Sequence, residues 1–241
     1  MSNYARLLLL APAMAIAVVS CRKKDNNAIG DTRIQTLDIT STSSAVHYRF
    51  VYDRYNNVDS IVRSGTSNGY LVFSYGSLSY NITDENGLTT QVFYGTNGLI
   101  TQINVTDTPQ YLYKGTQLVQ IDNTTATVNY PYISKSSVYY GWTGNDMTAI
   151  SFSKNPQKYG YTYDKQHIGQ ISDALKIDQM LTYGRSPFKT DHVPVSLSLN
   201  STVVEQYLYT FDNQNRILTF RLVNNMNGST ADTTLYSYTY R

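Results

Sequence analysis

The sequence predicts an all-β fold: a large antiparallel meander, closed or nearly closed into a barrel, with one short helix near residues 173–183. Three observations predict it. Aromatic and aliphatic residues recur at every second position in many short runs, the period of one strand face. Asn-Gly and Asx turn signals separate those runs at intervals of about 8–12 residues, the rhythm of sandwiches and barrels rather than of βαβ units. Charge is scarce, 15% of 241 residues, while tyrosine reaches 23, a balance that disfavours charged helical bundles and coiled coils.

The remaining composition narrows the function classes. Hydrophobic residues make up 41% of the chain, enough to build a core. Nineteen basic and 17 acidic residues are interspersed, leaving a net charge of +2. No basic stripe of the kind that binds nucleic acid emerges.

Residues 1–20 read as a signal peptide. Arg6 supplies the positive start, and Leu7 to Val19 form an apolar run too short for a spanning helix, which needs about 20 apolar residues. The run closes on Val18-Val19-Ser20-Cys21 and turns polar at Arg22-Lys23-Lys24-Asp25. This resembles the lipobox of bacterial lipoproteins, which implies cleavage before Cys21 and acylation of its thiol and new amine. Cys21 is the single cysteine of the chain, so its modification leaves no thiol for a disulfide, a metal site or a nucleophile. One acyl chain binds a membrane marginally, and two or more hold it durably. Residues 21–32 then form the lipidated cysteine and a polar tether, and residues 33–241 a single antiparallel β domain. The expected location is the outer membrane, lipid-anchored, on its periplasmic or its surface side.

Within that domain the strands announce themselves in order. Tyr48-Arg49-Phe50-Val51-Tyr52, Tyr159-Gly160-Tyr161-Thr162-Tyr163, Tyr207-Leu208-Tyr209-Thr210-Phe211 and Tyr236-Ser237-Tyr238-Thr239-Tyr240 each place aromatics on one face. Asn68-Gly69, Asn86-Gly87, Asn97-Gly98 and Asn227-Gly228 are strong hairpin dipeptides. A weak internal repeat overlies them. Tyr52-Asp53 leads to Val58 and Ile61, Tyr94-Gly95 to Ile100 and Ile103, and Phe211-Asp212 to Ile217 and Phe220. Tyr113-Lys114 with Leu118, and Tyr163-Asp164 with Ile168, follow a shorter version. Each reads as an aromatic strand, an Asx turn and a strand opening on an aliphatic residue, because an Asx side chain accepts from amides two residues on.

These units resemble the YD (Rhs-type) repeats of secreted and surface bacterial proteins. Together with the lipobox, the late helix and the Tyr-rich last strand, the chain resembles a family of Bacteroidota-type lipoproteins without assigned function. That resemblance implies a porin-like fold.

One segment departs from period two. In Ser172 to Tyr183, Ala174, Ile177 and Leu181 share a helical face with Met180 beside it. Ser172 is the expected N-cap, Asp173 suits the N-terminal dipole, and Gly184 with Pro187 stops the helix. Its length suits a plug or lid. The Gly184–Val193 stretch is expected to be a polar loop.

About sixteen to eighteen strands in one sheet leave edges that closure removes. Alternation does not say whether the apolar face turns inward to a core or outward to lipid. Spanning barrels need strands of about 9–11 residues and an apolar outer band. The runs here are shorter, and Tyr runs along them instead of gathering at girdles, so a lipid-tethered barrel beside the membrane is expected.

Catalytic and metal constellations are not legible. His47, His167 and His192 fall in a strand, a hairpin and a loop without paired spacing. Asp212-Asn213-Gln214-Asn215 sits in hairpin register and lacks the later Glu of a calcium loop. No nucleophile elbow, phosphate loop or dinucleotide fingerprint occurs, and no cofactor is implied. Tyrosine offers a flat apolar face plus a hydroxyl for a glycan or protein ligand, and it equally serves as a cross-strand ladder. The reading is a non-enzymatic, ligand- or partner-binding envelope lipoprotein. Its alternatives are a structural or assembly component of the outer membrane and an envelope hydrolase.

Overall fold

A computed structural model describes residues 33–104, 109–122, 137–225 and 232–241. Within them sixteen strands form one antiparallel sheet that closes on itself. The strands are β1 (Ile34–Thr40), β2 (Ala45–Tyr52), β3 (Val58–Gly65), β4 (Gly69–Tyr75), β5 (Ser79–Asp84), β6 (Thr89–Tyr94), β7 (Ile100–Asn104) and β8 (Gln110–Lys114). They continue as β9 (Gln117–Asp122), β10 (Val138–Thr143), β11 (Asp146–Phe152), β12 (Asn155–Ile168), β13 (His192–Leu199), β14 (Thr202–Phe211), β15 (Ile217–Asn224) and β16 (Asp232–Tyr240). Each pairs with its sequence neighbour, and β1 pairs with β16 through Leu37–Tyr238 and Ile39–Tyr236. No edge is left open, which is how a sheet of this size avoids exposed ladder groups.

The apolar face points inward. Leu37, Phe50, Ile61, Phe73, Tyr80, Val92, Leu197, Tyr207, Phe220 and Tyr238 are buried, and they alternate with outward Thr36, Ser60, Thr210, Thr219, Ser237 and Thr239 in the paired register. Outward hydroxyls bond across strands at Thr36–Thr239 (2.7 Å), Thr162–Ser196 (2.6 Å) and Thr210–Thr219 (2.7 Å). Exposed Leu208 and Leu235 flank Arg221 in one cross-strand row, so they join no apolar band. A wall facing lipid needs such a band, and the outward positions paired with Leu208, Leu235 and the strands β1 and β16 are mostly Thr, Ser, Asp, His and Arg.

Sixteen strands enclose more space than wall side chains fill. Part of the rest is occupied by the chain between β12 and β13, which enters the lumen and returns. Its helix α1 (Ile177–Tyr183) buries Ile177 and Met180 against the wall from β1 to β7 and from β13 to β16. Leu175 and Phe188 pack with Leu118, Tyr140, Tyr161 and Leu197 on the other side. Tyr80 of β5 donates to the Tyr183 carbonyl (2.6 Å), and the Ala174 amide donates to the Tyr209 hydroxyl (3.2 Å). Tyr240 donates to Ser172 Oγ (2.9 Å), while Gln170 Nε2 donates to the Asn215 carbonyl and Gln170 Oε1 accepts from the Ile217 amide. The segment is a plug.

The plug starts differently from expectation. The helix begins at Ile177, four residues after Asp173, and its N-cap Lys176 makes no side-chain cap bond. Asp173 is the cause. Its carboxylate accepts from the amides of Gln170, Leu175 and Lys176 and from Lys176 Nζ at 2.8 Å, which fixes a turn where a first helical turn was expected. Ser172 is not the cap; its hydroxyl belongs to Tyr240. The stop is as expected. Gly184 takes φ 65° and its amide bonds Met180 O, and a Cβ there would lie 2.6 Å from the Phe73 ring.

The turns cluster by end. Both described termini, the entry to the plug and the Asp53, Gly95, Gly115 and Asp212 turns share one end, the base. The Asp53 turn and the Asp212 turn are the same object. In each, Oδ1 accepts from the amides two and four residues on, at 2.7 and 2.9 Å and at 2.8 and 2.9 Å. Asn56 and Asn215 take φ 66° and 58°, a conformation Asn tolerates better than most side chains. Asp212 is therefore turn chemistry. The repeat unit at Tyr163-Asp164 is not a hairpin: β12 runs on to Ile168 and bulges between Asp164 and Ile168 against β13, and the chain then enters the plug. Asn227-Gly228 and residues 1–32, including the signal peptide and Cys21, lie outside the described residues.

Candidate functional site

The histidines do not converge. His47 Nδ1 meets Asp38 Oδ1 at 2.7 Å on the exposed wall. His167 lies in β12 instead of a hairpin, stacks on Phe211 at 3.9 Å and meets Asp164 Oδ2 at 2.6 Å. His192 opens β13 instead of lying in a loop, and it belongs to the lock that holds the plug's return. There the buried Asp146 accepts from the His192 amide (3.0 Å), from His192 Nδ1 (2.8 Å) and from Lys165 Nζ. Burial opposes the Asp146 charge, yet these donors outweigh it and hold its pKa below the usual carboxylate range. Among the described residues no group of three His, Cys, Asp or Glu could hold a metal ion.

The candidate site is the opposite end, the mouth, where two cavities lined by described residues flank α1. The larger is about 440 Å³. Strands β2 to β6 supply Tyr48, Arg63, Tyr70, Asp84 and Thr90, and the end of α1 supplies Leu181, Thr182 and Tyr183. Arg63 Nη2 stands 3.7 Å from Glu85 Oε1, both half-exposed, and donates to the Asn68 carbonyl at 3.3 Å. Tyrosine faces, an arginine and two acids thus converge on one opening, a mix suited to stacking a polar ring and bonding its hydroxyls.

The smaller cavity, about 220 Å³, lies between α1 and β14–β16 and is lined by Ala174, Ile177, Asp178, Glu205, Tyr207, Phe220, Leu222 and Tyr236. Tyr207 donates to Glu205 Oε2 at 2.5 Å. Burial pushes the Glu205 pKa up, the Tyr207 bond only partly offsetting it. Asp178 is exposed, but burial of its carboxyl by the surrounding protein raises its pKa too, and the Glu205 charge adds to the rise. Tyr48 of the larger cavity and Tyr236 of the smaller pack against the same hydrophobic cluster.

Sequence reasoning found the tyrosines but missed this constellation. Asp84 belongs to the hairpin marked by Asn86-Gly87, and its Oδ1 accepts from the Asn86 and Leu88 amides. Asp178 and Glu205 carried no signal, because nothing local says that helix and strand meet.

No protein-family model matches the chain, and no curated protein matches it. Solved structures share its fold, two porin-like proteins among them. A porin-like protein from Bacteroides uniformis ATCC 8492 is 15% identical with a TM-score of 0.63, the match covering 88% of this chain and 99% of that one. A porin-like protein from Bacteroides vulgatus ATCC 8482 is 13% identical with a TM-score of 0.58 over 88% of this chain and 99% of that one. The likeness is one of fold: a closed antiparallel barrel of the porin-like kind.

Proposed function

We propose that this chain is a non-enzymatic, lipid-anchored protein of the cell envelope that binds a glycan at the mouth of its barrel. The observation that carries the reading is the 440 Å³ cavity, where Tyr48 and Tyr183 meet Arg63, Asp84 and Glu85. Sugars are recognised by this combination, aromatic faces for the ring and charged groups for vicinal hydroxyls. The polar wall and the filled lumen support attachment through Cys21 acyl chains, the wall itself facing water. A filled lumen also argues against conduction as the role.

A glycan array probed with the mature chain tests this reading. Binding to a defined glycan set, weakened in Tyr48→Ala and Arg63→Ala, is the expected result. Absence of binding, or binding that both variants leave intact, overturns it.

A further inference from the structure

The smaller cavity has a wall of a particular kind. Phe220 and Tyr236 stack with centroids 4.1 Å apart and planes 12° from parallel, and Leu222, Ala174 and Ile177 continue the apolar surface. Two charged side chains line it, Asp178 from the plug and Glu205 from the wall, and both are acids. Among the described residues no Lys, Arg or His lines the cavity and no ion pair with either carboxylate occurs. The volume therefore combines partly desolvated negative charge, the negative faces of aromatic rings and room for a small molecule.

Each of those features favours a cation, and together they favour one class of cation. A hydrated metal ion gains nothing from the Phe220 and Tyr236 rings and finds few ligands. An organic ammonium uses both, its N–H groups bonding carboxylates and its carbon skeleton lying on apolar and π surface. Glu205 has Oε2 engaged by Tyr207, so the hydroxyl orients the carboxylate while the second oxygen remains available. Asp178 keeps its access to solvent.

We propose that this cavity binds a protonated organic amine, the ammonium seated between Asp178 and Glu205 and its carbon skeleton against Phe220 and Tyr236. The inference rests on the reading that the mouth takes a glycan, and it narrows that ligand to a sugar bearing a free amino group. An N-acetylated sugar replaces the ammonium with a neutral amide and leaves the two carboxylates uncompensated.

The test is calorimetric titration of the mature chain with glucosamine, N-acetylglucosamine and putrescine. Glucosamine is expected to bind about tenfold tighter than N-acetylglucosamine, and the isosteric pair Asp178→Asn and Glu205→Gln is expected to remove the difference. Thermal melts of these variants, which keep shape and lose only charge, show that folding is intact. Equal binding of the two sugars overturns the amine site, and so does a preference that survives in the folded double variant. Putrescine binding lost in that variant, with no binding of either sugar, supports the amine site and overturns the glycan reading. N-acetylglucosamine binding that depends on Tyr48, without any amine preference, does the reverse. Failure of all three probes overturns the amine site.

Discussion

The hydroxyl of Tyr80 donates to the backbone carbonyl of Tyr183 at 2.6 Å, tying strand β5 of the wall to the last turn of the helix inside it. The two residues lie far apart in sequence, and the bond exists only because the plug has entered the lumen. Tyr80 is buried among Phe73, Tyr75 and Tyr94, and burial raises its pKa, so it remains a neutral donor. Tyr80→Phe keeps the ring and orphans the carbonyl. A loss of about 1–3 kcal/mol in denaturant unfolding is expected, and a neutral result would show that water replaces the hydroxyl.

Gly184 ends the helix at φ 65° with the Phe73 ring where a Cβ would go. Gly184→Ala meets both the left-handed backbone penalty and a clash with a ring that has no room to move. The expected cost is about 2–5 kcal/mol, the sum of those two effects. Chemical denaturation measures it; a loss within error of zero would show that plug and wall are not tightly engaged there.

Asp173 and Lys176 form an ion pair that is almost wholly buried in the plug. Burial raises the Asp173 pKa against the opposing pull of Lys176. Removing one partner strands the other, so Asp173→Ala is expected to cost about 3–5 kcal/mol and to expose the Asp173–Met180 region to faster amide exchange. Exchange unchanged from the parent would rule out this role.

Asp178 and Glu205 have raised pKa values in the folded protein. The sign follows from linkage: the folded state binds the proton more tightly than the unfolded chain, so this contribution is complete below the ordinary carboxylate pKa near 4 and is lost as pH rises through the raised values. At neutral pH both charges therefore weigh against folding. The Asp178→Asn/Glu205→Gln variant is expected to melt higher than the parent at pH 8, with the gap closing toward pH 4. A gap that widens on acidification contradicts the assignment.

The anchor is tested at Cys21. Cys21→Ala is expected to abolish acyl labelling in cells and to release the chain from the membrane fraction, because no other thiol can take its place. Labelling that persists would remove lipidation from the reading. In planar bilayers the mature chain is expected to show no conductance, since the plug and the aromatic interior fill the lumen.

Much of this architecture is local and therefore legible in the chain itself. The aromatic period of Tyr236, Tyr238 and Tyr240 marks a strand face whatever the strand packs on. Asp53 and Asp212 build their turns from amides within four residues, and Asn56 and Asn215 supply the left-handed step. Gly184 stops a helix by its own backbone freedom. What only the tertiary structure decided is everything that depends on closure. Alternation is symmetric between its two faces, so the inward turn of the aromatic face follows from what fills the lumen. The late start of the short helix is local, since Asp173 finds its donors within three residues, but the segment becomes a plug because Phe73, Tyr80, Tyr209 and Tyr240 receive it. Asp178 and Glu205 share a cavity for the same reason: the free energy that brings them together is that of burying the helix's apolar face, and it is indifferent to the two charges carried along.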